Sequence, residues 1–75
     1  MEATLTIMIS TNPATAHIGP YFADLRLING NKQRQTTRVG TTEMMREFIE
    51  QTRKSAEKHN IVLTVVDETR DGIVE

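Results

Sequence analysis

The chain contains no cysteine and no tryptophan, and its only aromatic residues are Tyr21, Phe22 and Phe48. Without thiols there is neither a disulfide framework nor a thiolate metal site to reinforce a domain of 75 residues. Small domains bury a smaller share of their surface than large ones, so stability must come from a thin aliphatic core. Each fully buried Ile, Leu, Val or Met contributes about 1.5–3 kcal/mol. Chains in this position commonly associate, and a homodimer is the expected state. No apolar run approaches the ~20 residues needed to cross a bilayer. The opening segment MEATLTIMIS lacks the basic start and long apolar stretch of a secretory leader. Together with the absence of cysteine this makes the cytoplasm the expected location and a membrane an unexpected partner.

Recognisable chemistry is missing as well. His17 and His59 are the only histidines and show no HxxxH spacing, so no metal site is expected. Gly30, Gly40 and Gly72 stand singly and form no phosphate-binding loop. The many threonines are ordinary strand residues, and no nucleophile lies beside a base in sequence. The expected protein is therefore not an enzyme and carries no cofactor. A formal net charge of -1 also lacks the strong positive excess of a dedicated nucleic-acid binder. That charge is polarised along the chain, however. Arg26, Lys32, Arg34 and Arg38 cluster in one segment, and Asp67, Glu68, Asp71 and Glu75 in another.

What the sequence does contain is clear periodicity. In ATLTIMIS, Ala3, Leu5, Ile7 and Ile9 alternate with Thr4, Thr6, Met8 and Ser10, the signature of a strand with one apolar face. TNPATAHIGP has Pro13, Gly19 and Pro20 without periodicity and reads as a long loop. YFADLRLI alternates again, and Asn29-Gly30 is a strong hairpin signal before the returning strand KQRQTTRV. A helix is predicted over GTTEMMREFIEQTRKSAEKHN, with Thr41 or Thr42 as N-cap and Asn60 as a left-handed cap. Its apolar stripe is Met45, Phe48, Ile49, Thr52 and Ala56, with Met44 at the margin. Across its polar face, Arg46 with Glu50, Glu50 with Lys54 and Arg53 with Glu57 form i,i+4 pairs. IVLTVV then reads as a strand covered on both faces, followed by an acidic tail over 69–75 in which Ile73 and Val74 could add a short pairing.

These elements predict one α+β domain over residues 1–75, of order β-β-β-α-β. The expected sheet has four mostly antiparallel strands in the order 3-2-1-4, with one helix packed on one face. The uncovered face would show Thr4, Thr6, Met8, Val62 and Val66, a surface suited to dimerisation by the face or by an open edge.

The register of the hairpin decides where its cations point. A two-residue Asn29-Gly30 turn would place Lys32 and Arg34 opposite Leu27 and Leu25, on the apolar face. A three-residue connection, Asn29-Gly30-Asn31, would set Leu27 opposite Gln33 and Leu25 opposite Gln35 instead. On that expectation Phe22, Arg26, Lys32, Arg34 and Arg38 share the outer face and form the candidate binding site.

The stretch YFADLRLINGNKQRQTTRVGTTEMMREF is similar in outline to small three-stranded-sheet-plus-helix DNA-binding domains, such as the arm-binding domains of phage-type integrases. The resemblance implies a nucleic-acid surface on the hairpin, with Phe22 stacking on a base and the cations on phosphates. It carries no specific motif, lacks the rich basic charge of those domains, and leaves the first strand, the last strand and the acidic tail outside it. The function expected first is a non-enzymatic module, like the bacterial or phage accessory proteins that inhibit or adapt a larger machine. It would dock its sheet surface and the Asn12 to Gly19 loop on a protein partner. Nucleic-acid binding by the hairpin is the alternative, and a third reading has the acidic tail covering the basic hairpin.

Overall fold

The computed structural model describes residues 1–69; the proposed tail pairing of Ile73 and Val74 lies outside them. The strands are β1 (Glu2–Ile9), β2 (Tyr21–Asn29), β3 (Lys32–Gly40) and β4 (Val62–Asp67), with helix α1 (Thr42–Lys58) between β3 and β4. The sheet order is β3-β2-β1-β4. The β1–β2 and β2–β3 pairs are antiparallel and β1–β4 is parallel. A helix returning the chain between parallel strands is the usual solution for such a crossover, and the expected α+β topology is the one formed.

Alternation along β1 sends Ala3, Leu5 and Ile7 under the helix. The core joins Leu5, Ile7 and Ala23 to Met45 and Ile49 of α1, with Tyr21, Leu25, Phe48, Leu63 and Val65 packed around them. The helical stripe lies as predicted: Met45, Ile49 and Ala56 are buried, Phe48 and Thr52 are half-buried, and Met44 is at the exposed margin. The helix begins where Thr41 Oγ1 accepts the Met44 N–H at 3.3 Å, satisfying one of its free donors. It ends in a Schellman arrangement. Asn60 is left-handed at φ 55, its N–H donates to Glu57 O at 3.4 Å, and the Ile61 N–H donates to Ala56 O at 2.8 Å. Of the three expected helical ion pairs, only Glu50–Lys54 closes, at 3.3 Å, among the described residues. The β1–β2 loop contains a short 3-10 turn (Pro13–Thr15). Asn12 caps it by accepting the Ala14 N–H at 3.0 Å.

The hairpin register differs from the expectation. Asn29 pairs with Lys32, Leu27 with Arg34, Leu25 with Thr36 and Ala23 with Arg38. The corner is therefore Gly30-Asn31, with Gly30 at φ 60 and no left-handed Asn31, as in a two-residue turn with glycine first. Pleat parity then puts Lys32, Arg34 and Arg38 on the helix side with Leu25 and Leu27. The objection to cations on that face does not hold, because the helix leaves β3 open: Lys32 to Arg38 are all exposed. Their stems can lie on apolar neighbours while their heads reach water.

The other end of the hairpin accounts for this choice. The register brings Gly40 opposite Tyr21, where the β1–β2 loop and the first turn of α1 meet. A Cβ on Gly19 would sit 2.1 Å from the Gly40 carbonyl carbon, and one on Gly40 would sit 2.8 Å from Met44 Sδ. Two glycines in contact let the loop, strand and helix converge; Val39 in the Gly40 position would not fit.

Gly19→Ala is expected to lower the unfolding free energy by about 3 kcal/mol through overpacking. Gly30→Ala, whose Cβ would meet open space but whose backbone is left-handed, should lower it by about 1 kcal/mol. Urea denaturation of the two variants checks both the size and the order of the effects.

Candidate functional site

The five residues expected to form one patch lie on two sides of the sheet. Phe22 and Arg26 belong to the face away from the helix, where they pair with Val39 and Gln35. Lys32, Arg34 and Arg38 alternate along β3 on the helix side. The expected stacking ring, Phe22, is thus separated from three of the four cations by the thickness of the sheet.

On the helix side a cleft of about 230 Å³ lies between α1 and β2, and it shares Leu27 with a second hollow that Lys32 and Arg34 line. The floor of the cleft is Leu25 and Leu27, its wall is Phe48, Thr52 and Ser55, and Ile61 closes one end. The origin of this cleft is the course of the helix. It starts at the end of β3 and finishes beside the start of β4, crossing the sheet obliquely and leaving the hairpin corner uncovered. The second half of the helix also presents Thr52, Ser55 and Ala56 there, side chains too small to fill the space above Leu25 and Leu27. Lys32 and Arg34 flank Leu27 in an adjoining hollow with Met1 and Asn29. Neither cation takes part in an ion pair among the described residues. Arg38 lies at the other end of the row, its guanidinium 5.7 Å from the centroid of the Phe48 ring, within cation–π range.

The opposite face has a polar centre. Asp24 is only 9% exposed, although no helix covers it. Its carboxylate accepts from Arg26 Nε at 3.1 Å and from Gln35 Nε2 at 2.9 Å. Thr6 and Thr37 are its cross-strand neighbours. Arg26 is therefore occupied in holding a buried carboxylate. Near the end of this face, Met8, Phe22 and the loop residues Thr11 and Asn12 line a hollow where the sheet face and the β1–β2 loop adjoin.

His17 lies in the loop and His59 at the end of the helix, both exposed. Among the described residues no three His, Asp or Glu side chains converge on a metal-sized site, and no helix is long and apolar enough to cross a membrane. Comparisons with protein-family models, curated proteins and solved structures return no match to this chain.

The cleft residues Gln51 and Ser55 were not singled out by periodicity, and Leu25 and Leu27 read simply as core. The usable signal was the run of small side chains in the last two turns of the helix, set against large leucines on β2.

Removing the Asp24 carboxylate should destabilise the fold although no core volume is lost. Asp24→Ala is expected to cost about 1–2 kcal/mol, with the exposed Arg26 partner contributing at the low end of the range. Asp24→Asn, which can still accept one of the two bonds, should cost less. Chemical denaturation of the pair decides this, and equal stability of Asp24→Ala and the parent would contradict the account of the sheet face.

Proposed function

We propose that the protein is a non-enzymatic binding module, acting as a homodimer, that holds an acidic amphipathic segment of a larger protein in the groove between α1 and the β2–β3 hairpin. The observation that carries this reading is the juxtaposition of the apolar cleft floored by Leu25 and Leu27 with Lys32 and Arg34, two cations free of intramolecular ion pairs among the described residues. Apolar side chains of a ligand would fill the cleft, and carboxylates on its other side would meet the cationic row. The apolar part supplies affinity and the charges supply orientation and rate of encounter. The open sheet face suits this role less well, because Asp24, Arg26 and Gln35 fill its centre with polar groups already bonded to one another.

One observation favours a second reading. Lys32, Arg34 and Arg38 repeat along one exposed strand and could track a phosphate backbone. Phe22 lies on the opposite face and cannot stack on a base held by that row, which leaves phosphate contact without base contact.

Two short synthetic peptides, one built of leucine and glutamate and the other of leucine and lysine, distinguish these possibilities when titrated into labelled protein. The acidic peptide is expected to shift the resonances of Leu27, Phe48 and Ser55, and Arg34→Glu should weaken it by about tenfold. Equal shifts with both peptides, or none with either, would reject the groove reading. Mixed short DNA added at low and then near-physiological salt tests the second: binding through the strand must fall steeply as salt rises.

A further inference from the structure

The two edges of the sheet are built differently. The β3 edge carries Lys32, Arg34 and Arg38 on one side and Gln33 and Gln35 on the other. If two β3 strands met antiparallel about Thr36, Arg34 would face the partner subunit's Arg38. Like charges directly opposite one another oppose pairing, and edge cations are a common guard against strand addition.

The β4 edge has no such guard. Ile61 to Val66 is an uncharged run, β-branched except at Leu63, without glycine or proline, and among the described residues β4 pairs with β1 alone. The Val62 N–H donates to Met1 O at 3.2 Å, and the Glu68 N–H donates to Ile7 O at 2.8 Å. Even-numbered residues therefore turn their backbone groups toward β1. By alternation the N–H and C=O of Leu63 and Val65 point out of the free edge. Val62, beside them on the uncovered face, is 66% exposed.

We propose that two copies of this chain join through antiparallel β4–β4 pairing about a two-fold axis at Thr64, making one eight-stranded sheet with both helices on the same face. This deepens the homodimer part of the reading above and does not depend on what the groove holds. A two-fold axis normal to the sheet requires side chains of the same face to oppose each other, so a residue must lie on the axis. Centring on Thr64 sets Val62 against the partner subunit's Val66 on the open face, and Leu63 against the partner subunit's Val65 on the helix face. Leu63 and Val65 are also the residues whose backbone groups are free to exchange hydrogen bonds. Centring on Val65 would set Leu63, inside the strand, against the partner subunit's Asp67, whereas centring on Thr64 moves Asp67 to the end of the pairing, opposite the partner subunit's Ile61, which precedes β4.

Phe48, Gln51 and Ser55 line the cleft above β2, so that flank of the helix faces the hairpin. At 3.6 residues per turn, Arg46, Glu50, Arg53 and Glu57 lie on the opposite flank, and the oblique course of α1 from the end of β3 to the start of β4 brings the Arg53 and Glu57 end of that stripe nearest the β4 edge. Arg53 and Glu57 are in no ion pair among the described residues.

Sedimentation of the full chain and two double variants at open-face positions tests the proposal. Val62→Lys with Val66→Lys places like charges opposite each other twice and should give a folded monomer. Val62→Lys with Val66→Glu places opposite charges there and should restore the dimer. A Lys/Lys variant that stays dimeric overturns the edge assignment while leaving a homodimer in place, and monomer in both variants overturns the register. A parent chain that is monomeric at high concentration removes the homodimer reading itself. Amide exchange on the unmodified chain guards against a variant that fails to fold. The Leu63 and Val65 N–H groups should become more protected as protein concentration rises, and concentration-independent rapid exchange at both would refute the pairing.

Discussion

The pleat of the β2–β3 hairpin sets the rest of the molecule's surface. Side chains alternate with a period of two, so a shift of one residue in pairing exchanges the two faces of β3. The shift is fixed at both ends: at the tip by Gly30 at the first corner position, and at the base by contact between Gly19 and Gly40. Val39 in place of Gly40 would drive a side chain into Met44. Three segments distant in sequence thus share one steric condition, and the placement of Lys32, Arg34 and Arg38 on the helix side follows from it.

The second consequence concerns coverage. One helix of 17 residues cannot cover four strands when it crosses them obliquely. It buries Leu5 and Ile7 completely and leaves two areas open: the hairpin corner, where leucines lie beside cations in no ion pair among the described residues, and the β4 edge, where backbone groups lie beside valines. The corner is small and has charge at its border, the character of a ligand groove. The edge is short, uncharged up to Asp67 at its end, and self-complementary, the character of an interface between identical chains. The two areas lie on opposite flanks of α1, so pairing at the edge would leave both grooves accessible in a dimer. The core is thin for an isolated domain, and a longer sheet would supplement it without enlarging it.

Much of this was legible in the sequence because it depends on local signals. The alternation of Ala3, Leu5 and Ile7 located β1 and its buried face. The stripe from Met45 to Ala56 located the covering side of α1, and Asn60 marked its left-handed end. One strand, a hairpin, a helix and a final strand admitted few sheet orders, and 3-2-1-4 is one that sets the first three consecutive strands side by side. The hairpin register was not legible in the same way. The expected three-residue connection Asn29-Gly30-Asn31 and the observed two-residue corner Gly30-Asn31 are both acceptable turns, and they turn opposite faces of β3 toward the helix. The choice between them rests on the close approach of Gly19 and Gly40 at the far end of the hairpin, which no local pattern announces. The rule that cations avoid an apolar face also misled, because it assumed that the helix reached across β3. The expected five-residue patch consequently divided, Phe22 and Arg26 going to one side and Lys32, Arg34 and Arg38 to the other.

The most direct test of the account is the through-space contact between Phe48 and β3 in solution, measured by proton NMR. The register described here predicts cross-peaks from the Phe48 ring to the side-chain methylenes of Arg38, together with upfield shifts of those methylenes from the ring they lie over. Cross-peaks from the Phe48 ring to Thr37 in place of Arg38, with the Arg38 methylenes near Phe22, would show that the faces of β3 are exchanged and would contradict the account.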